Sequence, residues 1–267
     1  MNELTAAIAT LRIDLDDVAE DTWTDADLTR AIAKALEAYS LAAPFETYTA
    51  VATVADSREL SLASLSDLVK VFAVEWPLSQ WPPSYVRFSL WGDTLTMLGD
   101  ALGDGNNANV FYGRSHQVYA AWEAATAYTL GEFVVPTTAN GYCYECTTAG
   151  TSHAATEPTW PTTIGTTVND NTAVWTCRAY YPAPAEHDDI LLLGASGYAI
   201  QAQSVGSINT LNTGGSSVDR DYRSEGTRRL REFRAQLNAI GYAGRLRNRQ
   251  LYTPSTPIVS KTRVDWP

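Results

Sequence analysis

The spacing of apolar residues changes period along this chain, and that change constrains the fold more than any single motif. Leu4, Ile8, Leu11, Leu15 and Val18 recur at helical spacing, and Leu28, Ala31, Ile32, Ala35, Leu36 and Tyr39 repeat it. Between the two stripes, Trp23-Thr24-Asp25-Ala26-Asp27 reads as a helix start, with Thr24 and Asp27 placed as a capping box. From Phe45 the period drops to two, so that residues 47–54, 69–74, 86–90, 94–98 and 109–112 read as strands. Pro77, Pro82, Pro83, Gly92-Asp93 and the run 103–107 separate them, which predicts a small antiparallel meander. Helical spacing returns after Pro184, where Ile190, Leu191, Leu193, Gly194, Ala195, Tyr198 and Ala199 form a face of small residues suited to close packing. A last helix is expected from about Val218 to Ile240, with Gly241 as its stop.

The middle of the chain has a different composition. Residues 120–181 are rich in Thr, Tyr, Trp and Gly, nearly free of Lys and Arg, and contain all three cysteines. Strands are expected at 133–136, 142–147 and 173–178, with turns at Asn140-Gly141 and Asn169-Asp170-Asn171. These features predict an α+β fold: a discontinuous helical host with an antiparallel meander, 1–119 and 182–267, interrupted by a small all-β module, 120–181. From about residue 243 the chain loses periodicity and carries Pro254, Pro257 and Pro267, which reads as an extended arm suited to docking on another surface.

Charge narrows the function classes. The 267 residues carry a net charge of −11, yet 45% are hydrophobic and only 18% charged, so the chain has the composition of a folded protein. The acidic balance disfavours a general nucleic-acid binder and adhesion to an anionic membrane. It is uneven: residues 1–104 hold −11, whereas residues 220–249 hold +6, with nine arginines against Asp221, Glu225 and Glu232. No apolar run approaches the ~18 residues that span a bilayer, and the first residues lack the basic-then-apolar order of a signal peptide. Three cysteines fit a reducing compartment better than a disulfide scaffold.

Candidate chemistry is sparse. Cys143-x-x-Cys146, with Cys177 and His153, has the residue types of a Cys3His metal site. Strand alternation places Cys143 and Cys146 on opposite faces, so the competing readings are buried thiols or a Cys146–Cys177 disulfide. His116, His153 and His187 have no Gly-x-Ser-x-Gly elbow to serve. Glu186-His187-Asp188-Asp189 has the acids that suit a helix N-terminus, and no phosphate-cradling glycine loop is present. No catalytic residue, resident metal or cofactor is therefore assigned. Trp122, Tyr128, Tyr142, Tyr144, Trp160 and Trp175 can build a module core or stack on sugar rings, with Tyr142, Tyr144 and Trp160 as the stacking candidates. On the last helix, Arg220, Arg223, Arg228, Arg229, Arg231 and Arg234 interleave with Leu230, Phe233, Leu237 and Ile240. Arg220, Arg223, Arg228, Arg231 and Arg234 are expected to meet the carboxylates of a partner, since guanidinium forks pair with them bidentately.

Several short motifs, in order, carry a resemblance. The helix pair with Trp23-Thr24-Asp25-Ala26-Asp27-Leu28 and Tyr39-Ser40 resembles the head–tail adaptor (connector) proteins of tailed bacteriophages. Val74-Glu75-Trp76-Pro77, Trp81-Pro82-Pro83 and Phe88-Ser89-Leu90-Trp91-Gly92-Asp93-Thr94-Leu95 are similar to that family too. So are Pro184-Ala185-Glu186-His187-Asp188-Asp189, Leu193-Gly194-Ala195 and Arg229-Leu230-Arg231-Glu232-Phe233-Arg234. The insert resembles the chitin-binding-like modules of phage virion proteins through Trp122, Tyr128-x-x-Gly131, Tyr144-x-Cys146, Gly150-Thr151-Ser152, Glu157-Pro158-x-Trp160-Pro161, Gly165-x-x-Val168-x-Asp170 and Trp175. Asn171 stands where such modules often have glycine.

The adaptor resemblance implies a structural virion protein rather than an enzyme. Its copies would form a dodecameric ring below the portal protein, joining head to tail and extending the channel through which DNA passes without specific binding. Its neighbours would be the portal and the next neck or tail protein, its place the virion neck, with assembly in the host cytoplasm and no membrane partner. The arm would dock on a neighbour, with Tyr252, Ile258, Val259, Arg263 and Trp266 as its contact residues. The alternative is a host-adhesion or decoration protein whose insert binds a surface glycan.

Overall fold

A computed structural model of the chain describes residues 1, 3–100, 102–206 and 218–247. The fold is α+β, with helices at both ends of the described chain and small, almost entirely antiparallel sheets between them. Helix α1 (Leu4–Asp14) stops short of Leu15 and Val18, because the chain turns through Asp16 in the left-handed region at φ 55°. Helix α2 (Asp25–Ala42) begins with the expected box: the Thr24 side chain accepts from the Asp27 N–H, and the Asp27 carboxylate accepts from the Thr24 N–H. Its stripe of Leu28, Ala31, Ile32, Ala35, Leu36 and Tyr39 is buried throughout.

Seven strands follow: β1 (Phe45–Ala52), β2 (Glu59–Ser61), β3 (Leu68–Glu75), β4 (Tyr85–Val86), β5 (Phe88–Trp91), β6 (Thr94–Met97) and β7 (Asn107–Arg114). They do not pair in chain order. β7 lies between β1 and β3, giving a sheet ordered β1-β7-β3-β4, while β2, β6 and β5 form a second, smaller sheet. The three eight-residue strands match in length and pair along it, from Phe45↔Arg114 to Ala52↔Asn107 on one side of β7. The short hairpin β5–β6 is drawn off by the Leu60↔Leu95 pair instead. Val51, Leu60, Leu62, Val74, Leu95, Met97, Val110 and Tyr112 close one core over both sheets.

The inserted module contains β8 (Ala120–Ala121), β9 (Ala127–Tyr128), β10 (Phe133–Val135), β11 (Tyr142–Thr148), β12 (Gly150–Thr151), β13 (Thr167–Asp170) and β14 (Ala173–Ala179). Its main sheet runs β13-β14-β11-β10-β8, in which only β8 and β10 are parallel. Asn171 takes the left-handed turn position at φ 53°, a conformation that asparagine tolerates better than most residues. The module has its own core of Trp122, Val134, Tyr144, Cys146, Ala173, Trp175 and Cys177.

Helix α3 (Asp188–Gly206) and helix α4 (Val218–Arg247) return to pack on α1 and α2. Close approach explains the glycines. A methyl on Gly194 would meet the Phe233 ring at 2.8 Å, and one on Gly197 would meet Leu230 at 2.9 Å. Gly241 does not stop α4. The helix continues to Arg247, and Gly241 instead faces the Ala42 carbonyl, 3.2 Å from where a Cβ would sit. The first five residues of the expected arm are therefore helical, and Tyr252, Ile258, Val259, Arg263 and Trp266 lie outside the described residues. Among the described residues no helix is long and apolar enough to cross a membrane.

One buried side chain joins these parts. His116 follows β7, and its backbone N–H donates to the Ser40 hydroxyl (2.9 Å). Its ring nitrogens lie 2.9 Å from the Ala43 carbonyl and 3.1 Å from the Pro182 carbonyl. The imidazole thus ties together the α2–β1 corner and both crossings to the module. Burial holds its pKa below the ordinary 6.5, outweighing the carbonyls, which favour the charged ring. As pH falls through the ordinary value, the unfolded chain takes up this proton before the native protein does. Stability tied to His116 is then lost from about pH 6.5 downward, toward the native pKa. The thermal midpoint is expected to fall between about pH 7.5 and pH 5.5, and to fall less in His116→Asn, as read by circular dichroism melts.

Candidate functional surfaces

Besides the arm, whose contact residues lie outside the described residues, the sequence offered the module aromatics and the arginines of α4 as contact candidates, with the cysteines and His153 as a secondary metal alternative. The structure brings only part of each together.

The cysteines do not form a metal site. Cys143 is buried on one face of β11, with its thiol near the Arg178 and Ala179 carbonyls (3.8 and 3.5 Å). Cys146 and Cys177 lie on the other face, within the module core. They are offset diagonally across β11 and β14, since Cys146 pairs with Trp175 and Tyr144 with Cys177. All three thiols are free, so the Cys146–Cys177 disulfide does not form; diagonal partners are spaced wider than a disulfide's usual span. Burial pushes Cys143 up to about 12 and raises Cys146 and Cys177, which keeps them as thiols. His153 is occupied locally, its Nδ1 accepting from the Ala155 and Thr156 N–H groups. No cluster of metal-ligating side chains occurs among the described residues.

The stacking candidates are largely core. Tyr144 is fully buried; its hydroxyl donates to the Pro161 carbonyl (2.9 Å) and accepts from Asn140 (2.7 Å). It cannot present a ring face to a sugar. Trp160 is half-buried, packed on Tyr144 at 4.2 Å between ring centroids, with its indole N–H held by Glu157 (2.7 Å). Tyr142 is half-buried against the same core.

What organises the module is Asp170, which the sequence suggested as a turn residue and a motif position but not as a buried hydrogen-bond acceptor. Its buried carboxylate accepts from Trp122 Nε1 (2.7 Å), Trp175 Nε1 (3.0 Å) and the His153 N–H (2.8 Å). One side chain thereby satisfies two buried indoles and pins a third segment. Replacing it leaves both indole donors unmet in an apolar core. Asp170→Ala is expected to destabilise the module by roughly 3 kcal/mol, measurable by denaturant unfolding followed through tryptophan fluorescence.

The arginines of α4 divide. Arg228 is tied to Glu225 (2.6 Å) and approaches Glu232 (3.6 Å), and Arg229 also binds Glu225 (2.8 Å). These guanidinium groups pull Glu225 down to about 2. Arg228 is thus engaged within its own helix, unlike the free contact expected of it. Arg223, Arg231 and Arg234 are exposed and make no ion pair among the described residues. Arg220 falls on the first turn of α4, and its side chain lies outside the described residues.

Two further features went unread in the sequence. Arg12, the one base before Arg30, is buried; its guanidinium binds Asp25 (2.6 Å), Asp17 (3.2 Å) and the Trp23 carbonyl (3.1 Å). Trp81 and Trp91 are 92% and 81% exposed, beside the Pro82-Pro83 and Gly92-Asp93 turns that could have signalled it. No protein-family model and no curated protein matches the chain.

Proposed function

We propose that this chain is a structural virion protein of a tailed phage, a head-to-tail adaptor whose copies form a ring below the portal and continue the DNA channel toward the tail. The observation that carries this reading is the nesting of the segments. The opening helix pair and the closing helix pair share one core, with Leu11, Leu28, Ile32, Leu191 and Phe233 buried together. The antiparallel sheets lie between these pairs in the chain, and the module leaves and rejoins the host at one place. There the Gln117 N–H donates to the Tyr181 carbonyl (2.8 Å), and the Leu4 N–H to the Tyr119 carbonyl (2.8 Å). Order and nesting agree with the motifs that resemble the adaptor family. The reading assigns no catalysis to any residue.

The net charge of −11 also suits the role. Acidic walls around a passing duplex suppress the phosphate–cation contacts that would hold it. The glycan-binding alternative is weakened by the burial of Tyr144 and by the packing of Trp160 on it.

Electron cryomicroscopy of the particle with this protein labelled tests the proposal. A label at the neck is expected; a label on the capsid face or at the tail tip overturns it. Replacing residues 121–180 by a short linker is expected to preserve assembly, because the module has a core of its own. Particles that lose the neck although the shortened chain still folds would give the module an assembly role.

A further inference from the structure

The exposed flank of α4 presents three arginines that make no ion pair among the described residues. Arg223, Thr227, Arg231 and Arg234 follow one another at four-, four- and three-residue steps, so they lie on one stripe of the helix. All four are exposed, and the stripe extends over roughly 16 Å. The other described arginines of α4, Arg228 and Arg229, are already neutralised by Glu225. Charge of this density on a protein of net −11 calls for a carboxylate-bearing partner.

A matching surface exists on the same chain, at the corner between α1 and α2. Asp14, Asp16 and Asp21 are exposed there, and none has a cation partner among the described residues. The corner is rigid. Buried Arg12 clamps Asp17 and Asp25, and Asp17 accepts from the N–H groups of Asp21, Thr22 and Trp23 (3.1, 2.9 and 3.1 Å). The same stretch of chain exposes Ile13 and Val18, 68% and 70% accessible. Exposed apolar side chains among carboxylates in one stretch of chain suit arginines, whose aliphatic stems cover apolar atoms while their guanidinium groups meet the acids.

No ion pair joins the two surfaces within one chain among the described residues. Trp23 packs on Tyr222 (6.5 Å between ring centroids), which places the corner beside the first turns of α4 while the stripe runs away from it toward Arg234. We infer that the Arg223–Arg231–Arg234 flank of α4 is the docking site for the Asp14–Asp16–Asp21 corner of a second copy of this chain. The contact is head-to-tail: each copy offers one surface of each kind, and such contacts close into rings when the rotation per step allows. The inference rests on the ring reading and names the surfaces that would join the copies.

Charge reversal in the full-length chain tests it. One variant carries Asp14→Lys, Asp16→Lys and Asp21→Lys; a second carries Arg223→Glu, Arg231→Glu and Arg234→Glu; a third carries all six. Thermal melts confirm that each folds, since every position is exposed. In sedimentation velocity, the unaltered chain is expected to self-associate, with affinity falling at least about tenfold between about 50 mM and about 300 mM salt. Each three-site variant alone is expected to stay monomeric. Mixing the two, or using the six-site variant, restores association. Association that survives in either three-site variant overturns the assigned surfaces and leaves the ring standing. Loss of DNA retention with self-association unchanged would assign the stripe to nucleic acid instead. An unaltered chain that stays monomeric at low salt overturns the contact, and the labelled particle still decides the neck reading separately.

Discussion

His116 sits where three parts of the chain cross, and the arrangement of the molecule depends on that crossing. Its ring reaches the carbonyl at the end of α2 and the carbonyl at the outgoing side of the module, while its backbone binds Ser40. Aromatic rings seal the same region: Phe45 and Tyr39 flank the imidazole, and Arg114 lies 3.9 Å from the centre of the Tyr181 ring. Buried carbonyls need donors, and the neutral ring that burial favours has a single N–H, so it donates to one of the two carbonyls at a time. The helical core, the host sheets and the module each close separately, and the chain passes from one to another beside this ring.

Local features were legible in the sequence. Capping at Thr24 and Asp27, the small-residue face of α3 and the module strands all rest on partners within a few residues or on simple periodicity. The features that escaped rest on partners far along the chain. Gly241 has the signature of a helix stop, but its role is set by Ala42, some two hundred residues earlier. Strand order was hidden for the same reason, because β7 separates β1 from β3 and no local signal announces that choice. Arg12 looks like any surface base until Asp17 and Asp25 fold back around it.

The candidate surfaces follow the same division. Counting aromatics in the module gave a set of rings but not their faces, and Asp170 decides which of them turn inward. Counting arginines gave a basic helix but not its free flank, because Glu225 removes Arg228 and Arg229 from the account. In both places one carboxylate sorts a group of similar residues into those that hold the fold and those that remain available. Composition records the members of such a group, and geometry assigns their roles.

The adjacency of residues 117–121 and 179–183 has a consequence for how such a chain can change. The Gln117–Tyr181 bond fixes the two ends of the intervening segment at one spot, so for most of its length that segment acts on the host as a closed loop. The entropy of closing a loop grows with the logarithm of its length, by about 0.6 kcal/mol for each doubling. A longer, shorter or unrelated segment tethered at the same two points would therefore cost the host almost nothing. The tethered segment is free to diversify while the host that holds it stays constant.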